Sequence, residues 1–382
     1  MIIINDKRRC SGCKACINAC AFDAIKFEYD PEGFYYPYVD ESACVECRAC
    51  ESACPYYDSQ HGVREENKEY QPRFFAAQLA NKAELRTVSS GGVFQALAQT
   101  VLNFGGIVYG AEQTEVDIIN HVRIVDHEGL ARIKRSKYFQ SDIKDTFLKA
   151  KKDLNDGNVV LFSGTGCQIA GLICFLRDNY EKLVTCEVVC HGVPSIKVWK
   201  QYKTEKEEAS VRRITGLVFR NKSKGWRNNQ YEIIYEDGTR EYERSTTQIF
   251  HAGYLQGFFN RPSCGNCIFA EIPRVADITL ADFWKYNGMM KDNNLGVSLV
   301  SVNNEKGERL FALSERYLII EPTSGEEALD SCRHLNTSPV ENEKRGLFLE
   351  TVFTKGYHVA ADWFIEHKQS VLKRIIRRIK NH

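Results

Sequence analysis

Eight cysteines near the N-terminus form two runs with the same spacing. The first run is Cys10, Cys13, Cys16 and Cys20, and the second is Cys44, Cys47, Cys50 and Cys54, followed directly by Pro55. Both runs follow the C-x2-C-x2-C-x3-C pattern that binds pairs of [4Fe-4S] clusters. The spacing therefore predicts two clusters that carry single electrons.

The ligand assignment that this pattern predicts is crossed, because a tight loop offers three sulfurs to one cluster and the fourth must come from elsewhere. We expect one cluster on Cys10, Cys13, Cys16 and Cys54, and the other on Cys44, Cys47, Cys50 and Cys20. A disulfide framework is typical of a short secreted chain, and structural zinc needs only four ligands per site. Neither alternative explains two interlocked runs. Ala21 stands where the pattern has a proline after Cys20, which removes no ligand.

The composition is that of a globular protein with more than one small core. The chain has 382 residues, of which 43% are hydrophobic and 26% charged, and its formal net charge is +1. This balance argues against nucleic acid as a partner. The opening MIIINDKRRC is too quickly charged for a signal peptide, and no apolar run approaches the ~20 residues that span a bilayer. With 15 cysteines, we expect a reducing cytoplasm and an anaerobic or protected setting.

The chain divides into a cysteine-rich module, a polar connection and a long mixed region. Alternating residues predict short strands at 2–4, 24–29 and 35–39. The segment 58–72 is polar and charged and ends in a proline, which is typical of a linker. Beyond it, helical and strand patterns alternate as in an α/β or α+β enzyme domain. We predict a cluster domain at 1–60, a linker at 61–72, a larger domain at 73–345 and a C-terminal helical tail at 346–382.

Two turns rich in serine and glycine are candidate phosphate sites. In the first, Ser89, Ser90, Gly91 and Gly92 precede a helical pattern that starts at Val93. In the second, a strand at 158–162 leads into Ser163, Gly164, Thr165, Gly166 and Cys167, and a helix follows. The free N–H groups and the dipole of a helix N-terminus attract anions. Ordinary helix capping explains the same residues.

The second turn also fits a dinucleotide-binding pattern. Gly164, Gly166 and Ala170 match G-x-G-x-x-A, and Glu187 lies where an acidic residue would bind a ribose. Cys167 argues against this interpretation, because a thiol inside a phosphate loop serves no phosphate.

Taken in order, these motifs resemble the beta subunits of coenzyme F420 hydrogenases and dehydrogenases and their bacterial relatives. Besides the cysteine runs and the two turns with Gln168, the resemblance rests on Ser136-Lys137-Tyr138, Cys190 to Ser195, Phe219 to Lys222 with Trp226, Cys264-x2-Cys267, Ala276-Asp277-Ile278, Asp282-Phe283-Trp284 and Gly296-Val297-Ser298. It implies an α+β protein, in which a small ferredoxin-like dicluster domain precedes a larger mixed α/β flavin-binding domain.

The resemblance also implies a function. It points to a flavoenzyme that binds FAD and exchanges electrons with a ferredoxin or other redox protein and with a deazaflavin or other small organic substrate. A flavin suits this task because it accepts a hydride as two electrons and passes them on singly. The alternative is an electron-transfer or adaptor subunit without chemistry of its own. The candidate FAD contacts are Ser89, Ser90, Gly91, Gly92, Lys137, Ser163, Gly164, Thr165 and Gly166.

Four positions depart from the family pattern. Gly166 replaces a proline, Arg135 replaces a glycine, and Ala281 and Lys285 replace glycines around Asp282-Phe283-Trp284. Because these positions border the expected cofactor pocket, the substrate is the least transferable property of the family.

Four later cysteines are candidates for a third [4Fe-4S] cluster. Cys264 and Cys267 offer two thiolates from one turn, and Cys167 and Cys190 complete a set of four. The alternatives are a redox-active thiol at Cys167 and a structural zinc site.

The remaining cysteines, one histidine and the C-terminus receive weaker predictions. Cys174 and Cys186 lie in apolar patterns typical of a core, and Cys332 receives no role. His191 is either a proton donor or an ordinary hydrogen-bonding residue. Residues 371–380 form a basic amphipathic pattern, which favours contact with a membrane surface or an acidic partner, or packing on the same domain.

Overall fold

The computed structural model describes residues 1–365, and within that range the protein has a mixed α/β fold behind a small cysteine-rich module, as predicted. The strands are β1 (Ile25–Tyr29), β2 (Tyr35–Val39), β3 (Arg73–Leu79), β4 (Ile107–Gln113), β5 (Ile119–Ile124), β6 (Ser141–Asp142), β7 (Val160–Thr165), β8 (Leu183–Val188), β9 (Ile214–Asn221), β10 (Gln230–Tyr235), β11 (Arg240–Arg244), β12 (Ile278–Asp282), β13 (Ser298–Val302) and β14 (Leu318–Thr323). The α-helices are α1 (Ala15–Asn18), α2 (Ala49–Ser52), α3 (Glu65–Glu69), α4 (Lys82–Arg86), α5 (Val93–Asn103), α6 (His127–Ile133), α7 (Thr146–Asn155), α8 (Gly166–Leu176), α9 (Ile196–Ser210), α10 (Ile249–Leu255), α11 (Glu305–Ser314), α12 (Gly325–Ser331), α13 (Arg345–Lys355) and α14 (Tyr357–Phe364).

The largest sheet in residues 1–365 has 9 strands in the order β14-β3-β13-β12-β8-β7-β4-β5-β6. Its centre is parallel, since β12 pairs with β8, β8 with β7 and β7 with β4 in that sense. Val160, Leu161 and Phe162 of β7 are fully buried, as expected for a strand covered on both faces. The carboxyl ends of these parallel strands meet at one edge, which is where open α/β sheets bind ligands.

A second sheet stands beside this edge. It is antiparallel, with the order β11-β10-β9. Its buried side chains, including Phe219, Tyr231 and Ile233, pack with Trp199 of α9 and Phe250 of α10 in one aromatic core. This core also reaches the cysteine-rich module, since Lys197 of α9 donates to the Pro31 carbonyl at 2.9 Å.

The cysteine-rich module consists of the β1–β2 hairpin, which pairs antiparallel, and two one-turn helices. The residue before each helix has a left-handed backbone: Lys14 has φ 61° and Arg48 has φ 60°. The two halves of the module therefore repeat in structure as they do in sequence. The strand predicted at 2–4 is wrong, because Ile2 is buried by side-chain packing rather than by strand pairing.

The module shares its core with the large domain. Cys13 and Cys16 belong to the same buried cluster as Ile169, Leu172 and Phe175 of α8. The cysteine loops are therefore held against a helix of the main sheet, and they do not form a separate core.

The segment predicted as a linker is packed rather than free. It contains α3, in which the buried Asn67 donates to the backbone carbonyls of Arg274 and Ala276 at 2.8 and 3.0 Å. Just before α3, Arg64 forms an ion pair with the fully buried Asp277. The polar side chains Arg64 and Asn67 are thus ion-pair and hydrogen-bond partners of buried polar groups. Because such side chains are also common in loops, the composition of the segment resembled that of a loop.

The C-terminal part of the described chain is helical, and α13 and α14 pack against α9. The basic amphipathic pattern at 371–380 lies outside the described residues. Between residues 1 and 365, no helix has both the length and the apolar character needed to cross a membrane.

Candidate redox site

Four cysteines gather where the module meets α8, and we call them the middle set: Cys10, Cys13, Cys16 and Cys54. Burial raises the pKa of the Cys16 thiol well above its usual value, and the neighbouring sulfurs of Cys13, Cys10 and Cys54 raise it further. Burial, followed by Cys10 and Cys50, raises the pKa of Cys54 to about 11. The last cysteine of the second run therefore lies beside the first run. Thiols in such surroundings stay protonated until a metal ion binds the sulfur and displaces the proton.

A second group, the outer set, consists of Cys20, Cys44, Cys47 and Cys50. These residues line one shallow depression at the surface of the module, together with Phe22 and Val45. Cys47 is exposed, and so are the side chains of Phe22 and Val45. The outer set is therefore the one nearest to solvent, and its Cys50 lies close enough to Cys54 of the middle set to affect the ionisation of that thiol.

A third group, the inner set, brings together Cys167, Cys190, Cys264 and Cys267 from distant parts of the sequence. Each of these thiols is close enough to the other three to affect their ionisation. Burial is the main reason that the pKa of Cys190 is raised to about 12 and that of Cys267 to about 11, and neighbouring thiols raise both values further. The structure thus brings all four predicted residues to one place.

Local backbone structure positions the sulfurs of the inner set. Cys167 is the second residue of α8, where the positive end of the helix dipole favours a thiolate. The hydroxyl of Thr165 lies 3.1 Å from its Sγ. The backbone N–H of Gly192 donates to Cys190 Sγ at 3.2 Å. Cys264 ends a short 3-10 turn that begins at Pro262.

No three His, Cys, Asp or Glu side chains in the part of the chain that the structure describes are placed to share a single metal ion. The ligands of a [4Fe-4S] cluster bind four different irons and are spaced more widely than the ligands of one ion. The cluster predictions for the three sets are unaffected by this result.

Tyr56 lies between the middle and inner sets. Its buried ring packs edge-on against Phe269, with 5.5 Å between the ring centroids. The thiols that act on its hydroxyl include Cys167 and Cys267 of the inner set and Cys10 of the middle set. The two sets are therefore neighbours across one aromatic side chain.

A cavity of about 310 Å³ lies beside the inner set at the ligand edge of the main sheet. Its volume is in the range of small-molecule and cofactor sites. It is lined by Cys167 and Cys190 and by the predicted residues Ser89, Ser90, Gly92, Lys137, Ser163, Gly164 and Thr165.

Two predicted cofactor contacts do not line this cavity. Gly91 faces the protein interior, where its N–H donates to the Ser298 hydroxyl at 3.0 Å. A Cβ at Gly166 would lie 2.7 Å from Glu187 Oε2. Both glycines are therefore needed for close backbone packing behind the cavity wall rather than for ligand contact.

In the first turn, Ser89 and Ser90 accept hydrogen bonds from other residues of the protein. The N–H of Ser136 donates to the Ser89 hydroxyl at 2.8 Å, and Lys222 Nζ donates to the Ser90 carbonyl at 2.9 Å. The turn is thus braced by two residues of the family motifs, which agrees with the capping alternative as well as with a cofactor contact.

The second turn is a helix start with a capping box, which agrees with the capping alternative. β7 passes directly into α8, and Thr165 and Gln168 form a capping box at the junction. Glu187 is fully buried and accepts hydrogen bonds from Arg274 Nε at 2.6 Å and from the Thr279 hydroxyl at 2.7 Å. Both bonds go to Oε1, whereas Oε2 is buried without a hydrogen-bond partner and Glu187 is part of the cavity lining.

Lys137 lines the cavity, but its amino group points to the C-terminal end of α6. Nζ donates to the carbonyl of Lys134 at 2.8 Å. Burial lowers the pKa of Lys137 to about 7, so its charge depends on pH near neutrality. The positive charge of Lys137, which the sequence predicted as a cofactor contact, is therefore directed mainly to the C-terminal end of α6.

His121 of β5 is a cavity residue that no sequence pattern distinguishes. Burial lowers its pKa to about 4, so the ring is neutral near pH 7. Because the Ser163 carbonyl lies 2.9 Å from Nε2, that nitrogen carries the hydrogen. Nδ1 is then a bare acceptor, and it is buried without a hydrogen-bond partner. Such an atom costs about 1–3 kcal/mol and fits a ligand with an N–H or O–H donor.

The Arg220 and Asp282 motifs form another wall of the cavity. Arg220 binds Asp282 through two hydrogen bonds of 2.5 and 3.0 Å, and Trp226 Nε1 donates to the same carboxylate at 3.1 Å. The rings of Trp226 and Trp284 stack with 4.4 Å between centroids. Motifs that are far apart in sequence thus share one charged and aromatic surface.

The remaining predicted residues have ordinary surroundings. The ring of His191 contacts the Leu255 carbonyl at 3.0 Å and His334 at 3.2 Å, and burial lowers its pKa to about 4. Cys174 and Cys186 are buried, as predicted for core residues.

The fold and the cysteine sets define an iron-sulfur protein of the electron-transfer class. Residues 9–57 match the family model described as a 4Fe-4S dicluster domain. Residues 157–326 match the model that describes the C-terminal part of the beta subunits of coenzyme F420 hydrogenase/dehydrogenase. These two matches confirm the resemblance drawn from the motifs, for the N-terminal dicluster domain and for the part of the large domain that the second model covers.

One similar solved structure is a chain of the F420-reducing [NiFe] hydrogenase complex from Methanosarcina barkeri, in its xenon derivative. The two chains are 16% identical, and the alignment covers 69% of this chain and 88% of that chain with a TM-score of 0.48. No curated protein matches the chain.

Proposed function

We propose that this protein is an iron-sulfur flavoprotein oxidoreductase that passes electrons between a ferredoxin-type partner and a small organic substrate. One observation carries the proposal: Cys167 and Cys190 of the inner set line the same cavity as the two serine-glycine turns. A redox-active molecule in this cavity would lie beside the inner set with no other residue layer between them.

The order of the three cysteine sets supports a path for single electrons. The outer set lies at the surface, Cys54 of the middle set lies near Cys50 of the outer set, and Tyr56 lies near both the middle and the inner set. We assign one [4Fe-4S] cluster to each set, with the crossed ligands described above for the first two. The path then leads from an exposed depression, where a protein partner has access, to the cavity at the ligand edge of the main sheet.

FAD is the ligand that we assign to the cavity. When bound, a flavin accepts a hydride from an organic substrate and releases the two electrons one at a time. The residues that would hold it are Ser89, Ser90, Gly92, Ser163, Gly164 and Thr165. His121 adds the unpartnered Nδ1, which suits the N–H of a flavin ring.

An adjoining cavity of about 270 Å³ favours an anionic group. Its lining includes five basic residues, namely Arg132, Lys134, Arg135, Lys137 and Arg220. Arg132 and Arg220 are ion-paired with Glu112 and Asp282, so the cations of this lining without a carboxylate partner among the described residues are Lys134, Arg135 and Lys137. Arg135 occupies a position with φ 75°, which explains why relatives place a glycine there. The anion would be the FAD pyrophosphate or a carboxylate or phosphate of the substrate.

The test is an inventory of iron, sulfide and flavin in protein that is purified and reconstituted without oxygen. The proposal requires ~12 irons per chain, as in three [4Fe-4S] clusters, and a flavin in a stoichiometric amount. About 8 irons would remove the third cluster. Full iron without flavin would favour the second candidate, an electron-transfer or adaptor subunit of a larger redox complex. The exposed Phe22 and Val45 beside the outer set give that candidate a surface for a partner.

A further inference from the structure

Arg261 is a buried guanidinium at the junction of the middle and inner sets. Its side chain is 1% exposed, and it stands three residues before Cys264. Nε donates to the Cys10 carbonyl at 2.8 Å, Nη2 to the Tyr35 carbonyl at 2.9 Å and Nη1 to Gln140 Oε1 at 3.2 Å. The side chain thus crosses from the large domain into the cysteine-rich module.

The partners of Arg261 leave its charge without a carboxylate. Its hydrogen bonds in the described part of the chain go to two carbonyls, one amide and one sulfur. The sulfur is Cys10 Sγ, which lies 3.8 Å from Nη2. A buried charge without a counter-charge is unfavourable, and thiolates of a bound cluster would supply it.

Close packing keeps the guanidinium at this position. A Cβ at Gly12 would lie 3.0 Å from Arg261 Nη1, and Gly12 itself has φ 70°. On another side, the guanidinium carbon lies 4.4 Å from the centroid of the Tyr36 ring. The loop that carries Cys10 and Cys13 is therefore closed around Arg261, so the cation cannot turn away from the sulfur.

We propose that Arg261 is a positioning residue that raises the reduction potential of the cluster on the middle set. The inference rests on the ligand assignment of the proposed function. Reduction adds one electron and no proton to a cluster that four thiolates already make negative. A fixed cation with an N–H directed at Cys10 Sγ therefore stabilises the reduced form more than the oxidised form. In the protein, the electron comes from the redox partner or from the cavity side.

Arg345 provides a matched control. It is also a buried arginine that joins the two parts of the chain, since it binds the Glu32 carboxylate of the module at 2.5 Å and the Asn260 carbonyl at 3.1 Å. Its counter-charge is a carboxylate rather than a cysteine sulfur. Arg345→Gln therefore removes a comparable contact between module and domain without removing a cation from the middle set.

The experiment is a redox titration of the reconstituted protein, followed by electron paramagnetic resonance, with iron analysis of every sample. We expect Arg261→Gln to lower the reduction potential of one cluster. The expected change is about tenfold in the equilibrium constant of reduction, or ~59 mV for one electron. Arg261→Lys keeps a charge but not the forked contact, so its shift should have the same sign and be smaller. Arg345→Gln should leave every step in place.

Two results would overturn the inference. One is an unchanged set of potentials in Arg261→Gln with full iron, and the other is the same shift in Arg345→Gln. If Arg261→Gln does not retain iron, Arg261→Lys decides, and unchanged potentials in that variant reject the inference. Wild-type protein that takes up no clusters would instead reject the proposed function.

Discussion

The backbone of Gly171 lies against the side chain of Cys13. A Cβ at Gly171 would be 3.0 Å from Cys13 Sγ and 3.1 Å from Cys13 Cβ. Gly171 belongs to α8, which also carries Cys167 at its N-terminal end. One helix therefore carries a cysteine of the inner set and contacts a cysteine of the middle set.

Replacement of Gly171 by alanine should displace Cys13. The added methyl group needs a shift of a sulfur that must reach an iron, so we expect weaker binding of the middle cluster and a loss of up to ~4 irons per chain. Helix propensity acts in the opposite direction, since alanine is favoured over glycine by about 1 kcal/mol. Gly346→Ala in α13 is the control, because its Cβ would meet nothing within 4 Å. Iron analysis and the resonance spectrum check this prediction, and an unchanged spectrum in Gly171→Ala would contradict it.

Removal of one inner-set sulfur should remove one cluster. Cys267→Ala leaves three thiols where a [4Fe-4S] cluster needs four, so we expect iron to fall from ~12 to ~8 per chain. Cys332→Ala is the matched control, because Cys332 lies outside the three sets. Full iron in the Cys267 variant would show that the inner set does not hold a cluster.

Replacement of His121 by phenylalanine should weaken flavin binding. The ring keeps its stacking on Phe162, now 5.5 Å between centroids, but it loses the acceptor Nδ1. A hydrogen-bond donor of the ligand that is left without a partner costs about 1–3 kcal/mol, which corresponds to roughly tenfold or more in affinity. Fluorescence titration of flavin-depleted protein measures the affinity for flavin. The exposed His127→Phe should bind as the wild type does, and equal affinities of all three proteins would exclude the contact.

Stability should fall as the pH drops below 6.5, because buried histidines resist protonation. Burial lowers the pKa of His251 from 6.5 to about 3 and that of His121 to about 4. At a pH between the folded-state pKa and the unfolded-state pKa of 6.5, each histidine binds a proton in the unfolded chain but not in the folded chain, so acid favours unfolding. The loss should be about 2 kcal/mol per histidine between pH 6.5 and 5.

The variant His251→Phe tests this pH dependence. The histidine ring packs edge-on against Tyr138 with 5.0 Å between centroids, and a phenyl ring suits the same contact. Urea unfolding at several pH values, with iron content held constant, should show a smaller slope in this variant. His127→Phe should retain the wild-type slope. A slope that does not change in His251→Phe would mean that another group is responsible.

The buried ion pair between Arg64 and Asp277 should be costly to break on one side only. Asp277 also accepts hydrogen bonds from the N–H and the hydroxyl of Thr185 at 2.6 and 2.8 Å. Asp277→Asn leaves the guanidinium of Arg64 with only the more distant Glu66 carboxylate, 3.4 Å from Nε, so we expect a loss of up to about 3–5 kcal/mol in the free energy of unfolding.

The double variant Asp277→Asn with Arg64→Met should recover part of that loss, since it buries no unpaired charge. The exposed pair Lys285–Asp330 is the control, and its removal should change stability by less than about 1 kcal/mol. Denaturant unfolding measures all four proteins. A double variant that is less stable than Asp277→Asn would contradict the argument.

Predictions from the sequence succeeded where short-range pattern suffices. The strand at 35–39 has the predicted bounds, since alternation of side chains in a hairpin is a local property. The strand predicted at 2–4 failed because the same alternation also arises when one side chain packs into a core. The linker prediction overlooked α3, because Arg64 and Asn67 look like loop residues until their buried partners are known.

The sequence by itself determined the cluster-binding character of this protein, because three cysteines of each run lie within a single loop and their spacing is set by covalent geometry. It also determined the mixed α/β class and the resemblance to the beta-subunit family, through motifs of fixed order. Only the tertiary structure decided which of those motifs meet. It placed Cys167 beside Cys264, left His121 Nδ1 without a partner and enclosed Arg261 next to Cys10. Such contacts depend on how strands and helices pack over long sequence separations, and no local spacing encodes them.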